Sequence, residues 1–218
     1  MADSGLVVLS YITLPAVGSA EAPSGYDEHD YEKLKAFLEL ANEAGTNGSK
    51  LSAGYDPDNP DTWAGVTWSD STPKRVTHIN WAPMGLIGNL DVSGCTELKS
   101  LDCENNHLDS LNVSNCTALE SLNCYHNRLT SLHASNCTAL QSLDCYDNQL
   151  STLDLSNCTA LNLLDCQNNQ LSNLDVSTCA ALTSLKCSNN RLASLDVSNC
   201  TALRDLSCRY NQLTFANL

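Results

Sequence analysis

Cysteine, histidine and carboxylate side chains are the groups through which this chain could do chemistry. The chain has 218 residues, 12 of them Cys. Thiols offer disulfide pairing, metal ligation or nucleophilic attack as thiolates. All twelve lie after residue 94, at 95, 116, 137, 158, 179 and 200 and at 103, 124, 145, 166, 187 and 208, so each series steps by 21. No CxxC pair occurs, and no His stands at zinc-ligand spacing from a Cys. The five histidines, His29, His78, His107, His126 and His133, belong to no recognisable nucleophile or metal motif. Apposed carboxylates are available at Asp102, Asp144 and Asp165, but a flat repetitive ladder supplies no pocket to shift their pKa values. No catalytic residue, metal or cofactor is therefore expected.

The fixed period points to a stacked architecture that must position these groups. One unit reads Leu98-x-x-Leu101-x-Cys103-x-x-Asn106-x-Leu108-x-x-Leu111-x-Val113-Ser114-x-Cys116, and further units start at Leu119, Leu140, Leu161, Leu182 and Leu203. Leu101-x-Cys103 alternates apolar residues like a short strand with one face inward. Twenty-one residues cannot bury that face alone; stacking sets equivalent strands parallel and in register at about 4.8 Å. Leu98, Leu101, Cys103, Leu108, Leu111, Val113 and Cys116 then become core columns. Cys103, Cys124, Cys145, Cys166, Cys187 and Cys208 form one thiol column. A disulfide wants Cβ atoms about 3.5–4.5 Å apart and a torsion near 90°, which parallel neighbours supply poorly. Buried free thiols are favoured over disulfides and metal ligation. Asn106, Asn127, Asn148, Asn169, Asn190 and Asn211 form another column, whose amides can satisfy turn backbone groups of their own and adjacent coils.

The repeat resembles the leucine-rich repeat family, whose hallmark is LxxLxLxxNxL. Its 21-residue length and second half, LxxLDV, look like a bacterial subclass with a nested half-repeat, the IRREKO type. The resemblance covers residues 90–213 with six near-perfect copies. It implies an α/β solenoid: a horseshoe or arc with a parallel β-sheet on the concave face and a helical N-terminal cap. Residues 90–218 hold the six repeats and residues 1–89 the capping region.

Within residues 1–89 the run from Asp30 to Ala41 has apolar spacing i, i+3, i+6, i+7 and i+10, predicting an amphipathic helix over about 30–44. Asn47 to Thr62 is rich in Gly, Pro, Asp and Asn and reads as loop. A degenerate first strand is expected over 76–81. Trp63-Ala64-Gly65-Val66-Thr67-Trp68 is similar to the WxGVxC turn in the N-terminal cap of plant-type leucine-rich-repeat proteins. Trp68 stands where that family has a Cys, so the cap lacks that family's disulfide. Core packing is the favoured role for Trp63, Trp68 and Trp81, over a ligand platform. Residues 5–18 could be the apolar region of a signal peptide, although the segment before them has Asp3 and no Lys or Arg. An edge strand of the cap or a recombinant leader fits at least as well.

Function is expected where the copies differ. Core positions barely change, whereas three columns around each strand vary. The candidate binding residues on this concave face are Asp102, Glu104, Asn123, Tyr125, His126, Asp144, Tyr146, Asp147, Asp165, Lys186, Arg209 and Tyr210. Tyr125 and Tyr146 are expected side by side; aromatic side chains amid polar ones are typical interface anchors. The face should grade from acidic at Asp102 and Glu104 to basic at Lys186, Arg204 and Arg209. The other side repeats Asp-Val-Ser-Asn-Cys-Thr-Ala almost unchanged. Its Asp91, Asp154, Asp175 and Asp196, interrupted by Asn112 and His133, read as turn caps rather than a calcium ladder. Four Asn-Cys-Thr sequons, at Asn115, Asn136, Asn157 and Asn199, arise from the repeat itself.

The net charge of -14 disfavours nucleic acid, which needs clustered Lys and Arg. The charge splits evenly, with 12 acids and 5 bases in residues 1–89 and 13 and 6 in residues 90–218. No apolar run approaches the roughly 18 residues that span a bilayer. The family resemblance implies a non-enzymatic recognition module binding a protein partner. Carbohydrate binding, as in a bacterial surface adhesin, and a structural segment of a larger protein are the alternatives. Secreted or cell-surface placement is preferred over the cytoplasm. The last coil ends at Asn211-Gln212-Leu213, five residues before Leu218. A missing polar cap there would mean a longer protein, self-association through the open edge, or a cover made by Phe215 and Leu218.

Overall fold

The computed structural model describes residues 21–43 and 45–214. The signal-peptide segment, residues 5–18, and the suggested cover of Phe215 and Leu218 lie outside the described residues.

The cap opens with helix α1, Glu28–Leu38. The Asp27 side chain accepts from the Asp30 backbone N–H at 3.1 Å, and the acids Glu28 and Asp30 sit in the first turn, where the helix dipole favours them. Tyr31, Leu34, Phe37 and Leu38 form its buried side. The helix begins two residues before the expected 30 and stops well short of 44. The helix closes on its own turn, the Glu39 N–H bonding the Lys35 carbonyl at 2.9 Å and the Leu40 N–H the Phe37 carbonyl at 3.2 Å, and the buried Asn47 braces that end by donating its amide to the same Phe37 carbonyl at 3.1 Å. Ala41–Asn42 (β1) and Gly45–Thr46 (β2) then pair antiparallel instead of extending the helix.

The segment expected as loop holds two short helical turns. Asn47–Leu51 (α2) carries a Thr46/Ser49 capping box, and Pro60–Thr62 is a 3-10 turn capped by Asn59. Local capping thus overrides a loop-like composition. Trp63 and Trp81 are in the core, stacked on Tyr31 and Phe37 at 5.3 Å each, while Trp68 is half-buried, edge-on to Tyr26 at 4.9 Å. Val66–Trp68 (β3) pairs antiparallel with Val76–Asn80 (β4), so β3 covers the outer edge of the first strand. That strand ends at Asn80, one residue before the expected 81; Trp81 follows it, its backbone N–H bonded to the Asp102 carbonyl at 2.8 Å.

Each coil then contributes strands in a fixed order. They are Ile87–Asp91 (β5), Ser100–Asp102 (β6), His107–Asn112 (β7), Ser121–Asn123 (β8), Ser131–His133 (β9), Ser142–Asp144 (β10), Thr152–Asp154 (β11), Leu163–Asp165 (β12), Ser184–Lys186 (β13) and Asp205–Ser207 (β14). The first halves of the repeats form an eight-stranded sheet in the order β14-β13-β12-β10-β8-β6-β4-β3, parallel apart from β3. Register is strict: Leu101 pairs with Leu122, Leu122 with Leu143 and Leu143 with Leu164. The second halves add a four-stranded parallel sheet, β11-β9-β7-β5, which the sequence reading did not anticipate. Leucines of both sheets enter one continuous core, with Leu98, Leu101, Leu108 and Leu111 at 1% exposure or less.

Eleven of the twelve free cysteines are buried and Cys208 is half-buried. In the second thiol column, Cys116, Cys137 and Cys158 donate to the Val92, Val113 and Ala134 carbonyls of the preceding coil at 3.1, 3.1 and 3.2 Å. The cysteine ladder is thus both packing and a weak inter-coil bond.

Candidate functional site

The Asn column holds the coils in register. Asn127 Oδ1 accepts from the Leu108 backbone N–H at 3.0 Å, and its amide donates to the carbonyls of Cys103 and Cys124 at 2.9 and 3.1 Å. Asn148, Asn169, Asn190 and Asn211 repeat this pattern one coil on each time. Asn106 serves the cap in the same way, accepting from the Leu86 N–H at 2.8 Å and donating to the Trp81 carbonyl at 2.9 Å.

At the strand ends, Asp102, Asp144 and Asp165 each accept from the backbone N–H two residues on, at 3.3, 3.0 and 3.2 Å. These carboxylates close turns as well as facing out. Burial pushes Asp102 and Asp144 above the usual carboxylate range, and the neighbouring Asp165 adds to the rise at Asp144. The variable column Asn105, His126, Asp147, Asn168, Asn189 and Tyr210 has a left-handed backbone throughout, with φ between 51° and 58°. Four of these six residues are Asn or Asp, the non-glycine types that tolerate this region best. Their variation is backbone-constrained, which the sequence reading missed. His126 and Tyr210 are the exceptions, bulky side chains held where they cost about 1–2 kcal/mol.

The structure brings one group of the candidate residues together. The His126 ring lies edge-on between Tyr125 at 5.1 Å and Tyr146 at 5.6 Å. Its Nδ1 is 2.6 Å from the Asp147 carboxylate. The Asn105 amide donates to the Tyr125 hydroxyl at 3.1 Å, and the Asn123 amide donates to Glu104 at 2.6 Å. Tyr125 and Tyr146 therefore flank an imidazole rather than touch each other directly. Lys186 sits two strands beyond β10, 3.4 Å from Asp165, which blunts the expected charge gradient. Arg209 and Tyr210 follow the last strand, apart from the aromatic group; Tyr210 is 79% exposed.

On the other side, Asp91, Asp154, Asp175 and Asp196 each accept from the Ser N–H two residues on at 2.9–3.0 Å. The Ser156 hydroxyl and N–H hold Asp154 below the usual range, and the Ser177 pair does the same for Asp175. Asn136 and Asn157 of the sequons donate to the Asn one coil earlier at 2.9 and 2.7 Å. His29, Asp30 and Cys95 lie within 4.8 Å of one another. The Asp30 carboxylate is already taken by the Arg75 guanidinium at 2.9 and 3.1 Å and by the Val76 N–H at 3.0 Å, leaving little for a metal.

Two cavities flank the strand ends, the first of them lined in part by His126 and Asp147 of the predicted face. One, of about 430 Å³, includes His107, His126 and Arg128; the other, of about 460 Å³, includes Lys50, His107 and Arg128. Among the described residues, no helix is long and apolar enough to cross a membrane.

A family model described as leucine-rich repeats, two copies, matches residues 117–157. Comparison with curated protein sequences gives no match. Among solved structures, the chain is similar to the functional domain of InlJ from Listeria monocytogenes, described as including a cysteine ladder, at 39% identity and a TM-score of 0.54. That match covers 58% of this chain, which spans only 28% of the Listeria chain. YopM, a leucine-rich effector protein from Yersinia pestis, matches at 22% identity and a TM-score of 0.53 over 84% of this chain and 60% of its own. The leucine-rich-repeat ectodomain of the receptor kinase SOBIR1 from Arabidopsis thaliana matches at 22% and 0.52 over 87% and 98%.

Proposed function

We propose that this chain, a leucine-rich-repeat protein with a cysteine ladder, is a non-enzymatic recognition module that binds a protein partner through its concave sheet face. The observation that carries this is the Tyr125–His126–Tyr146 group. Two aromatic rings flank an imidazole, braced by Asp147 and by the Asn105 bond to the Tyr125 hydroxyl. Rings already held in place lose little conformational freedom on contact, which suits them as anchors. Polar neighbours satisfied within the face supply a rim. Secreted or cell-surface placement accords with this role and with the receptor ectodomain among its structural neighbours.

The test begins with protein ligands selected from a displayed library on the wild-type chain. Affinity is then compared for a Tyr125→Ala/Tyr146→Ala variant and for a control, Ser114→Ala, in the repeated Asp-Val-Ser-Asn segment. Loss of about 100-fold or more is expected for the double variant, the scale of two hot-spot anchors. Unchanged affinity would refute the reading. A neutral-glycan array signal that vanishes with the same two tyrosines would transfer the face to carbohydrate.

A further inference from the structure

The position following each ladder Asn reads His107, Arg128, Gln149, Gln170, Arg191 and Gln212. Every residue in this column can donate a hydrogen bond and none is acidic, although the chain has 25 acids against 11 bases. Stacked coils place such side chains in a row at about 4.8 Å spacing. Three of them, His107, Arg128 and Gln149, line the cavity of about 430 Å³. His107 and Arg128 also line the adjoining cavity of about 460 Å³, which Lys50 and Asn42 share. The two make one groove along the rim, from the cap to the third coil.

The two cations of the groove, Lys50 and Arg128, are not committed to ion pairs among the described residues. Among the described residues, neither Arg128 nor His107 has an ion-pair partner, whereas Lys33, Lys35, Lys74, Arg75 and Lys186 all do. Lys50 donates to the neutral Gly85 carbonyl at 2.7 Å. Two acids are present, Glu43 and Asp147, and Asp147 is engaged by His126. Backbone pairing with a peptide strand is closed off along this rim. The N–H groups of His107, Arg128 and Gln149 donate to the Leu86, Leu108 and Leu129 carbonyls of the preceding coil at 2.8–3.0 Å. Recognition must therefore run through side-chain donors, an arrangement suited to hydroxyls and carboxylates.

We infer that this groove binds a short saccharide carrying carboxylates, with Arg128 and Lys50 taking the charge and His107, Gln149 and Asn42 the hydroxyls. A short ligand fits because a long polyanion would meet the overall charge of -14. The groove adjoins the proposed protein-binding face, sharing His126 and Asp147 with it, but Tyr125 and Tyr146 do not line it.

The test is calorimetric titration of the full chain with a hyaluronan hexasaccharide. Comparators are the same oligosaccharide with its carboxylates reduced to alcohols, and triglutamate. Arg128→Gln introduces the residue found at three other coils of the column, so folding should survive; Arg191→Gln, outside the groove, is the control. The hexasaccharide should bind, its reduced form at least tenfold more weakly and triglutamate negligibly. Arg128→Gln should lose at least tenfold, and Arg191→Gln and Tyr125→Ala/Tyr146→Ala little. No binding of the hexasaccharide at millimolar concentration, equal binding of the reduced form or of triglutamate, or an Arg128→Gln variant with wild-type affinity would each overturn the inference.

Discussion

Replacing Asn148 tests whether the Asn column holds the coils together. Its Oδ1 is the acceptor for the Leu129 N–H at 3.0 Å, and its amide donates to the Cys124 and Cys145 carbonyls at 3.0 and 3.2 Å. Those carbonyls are doubly served: Cys124 also receives Asn127 at 3.1 Å and Cys145 also receives Asn169 at 3.0 Å. In Asn148→Ala the carbonyls keep one donor each, and the Leu129 N–H is the group left without a partner. A buried orphan donor costs about 1–3 kcal/mol, and the lost bonds about 0.5–1.5 kcal/mol each, discounted where a second donor remains. The sum is about 2–4 kcal/mol. With a urea slope of about 2–3 kcal/mol per molar, the unfolding midpoint should fall by about 1 M. Asn148→Asp sharpens the reasoning. It keeps the acceptor for Leu129 but aims an oxygen at two carbonyls. Near neutral pH it should cost at least as much as Ala, and the cost should shrink on acidification, as a protonated carboxyl regains a donor. Urea unfolding followed by circular dichroism, with amide exchange at Leu129, reads both effects. An Ala variant within about 0.5 kcal/mol of wild type, or unchanged Leu129 exchange, would refute the account.

Two further outcomes follow from burial. Burial drives the thiols upward, to about 12 at Cys116, Cys137 and Cys158 and about 11 at Cys179. A thiol reagent should therefore modify at most the half-buried Cys208 in the native protein and all twelve after denaturation; rapid native reaction of several would contradict the ladder. The carboxylates should titrate in a definite order by NMR, Asp144 and Asp102 above Asp154 and Asp175. The signs are opposite. Asp154, lowered in the fold, stabilises above its unfolded pKa of about 3.9, and that contribution is lost as pH falls through its folded value. Asp144, raised in the fold, costs stability when ionised and is relieved by protonation, so Asp144→Asn should be neutral to stabilising at pH 7 and Asp154→Asn destabilising on this count. Asp154 titrating above Asp144 would reverse the argument.

The core was legible because every coil repeats the same demand: Leu101, Cys103, Leu108 and Leu111 recur at one spacing, and only stacking buries them. The second sheet was not. Its strands, such as Ser131–His133 and Thr152–Asp154, are three residues long and polar at their ends, and only hydrogen bonding to the next coil makes them strands. The end of α1 was equally hidden, because it is braced by Asn47, a residue that reads as loop and whose amide bonds the Phe37 and Ile87 carbonyls.

Variation between coils marks a binding surface only after the backbone's own requirements are removed. The column from Asn105 to Tyr210 varies within a left-handed conformation, so Asn105, Asp147, Asn168 and Asn189 answer to φ. Asp102, Asn123, Asp144 and Asp165 answer partly to the turns their side chains close. Two columns remain free of these backbone requirements. One runs Glu104, Tyr125, Tyr146, Gln167, Ser188 and Arg209 on the sheet face, where Ser188 alone is buried and bonded to Ser207 and the Arg209 N–H; the other runs His107, Arg128, Gln149, Gln170, Arg191 and Gln212 along the rim. The first changes chemical type at nearly every coil, as a surface fitted to one irregular partner would. The second keeps to hydrogen-bond donors throughout, as a surface fitted to a repetitive ligand would. His126 stands between them, taking a left-handed strain that Asn would have avoided and tying the tyrosines of one column to the groove of the other. Substituting His126 by Asn should therefore relax the backbone and stabilise the coil while loosening both sites, a combination that a purely structural histidine would not produce.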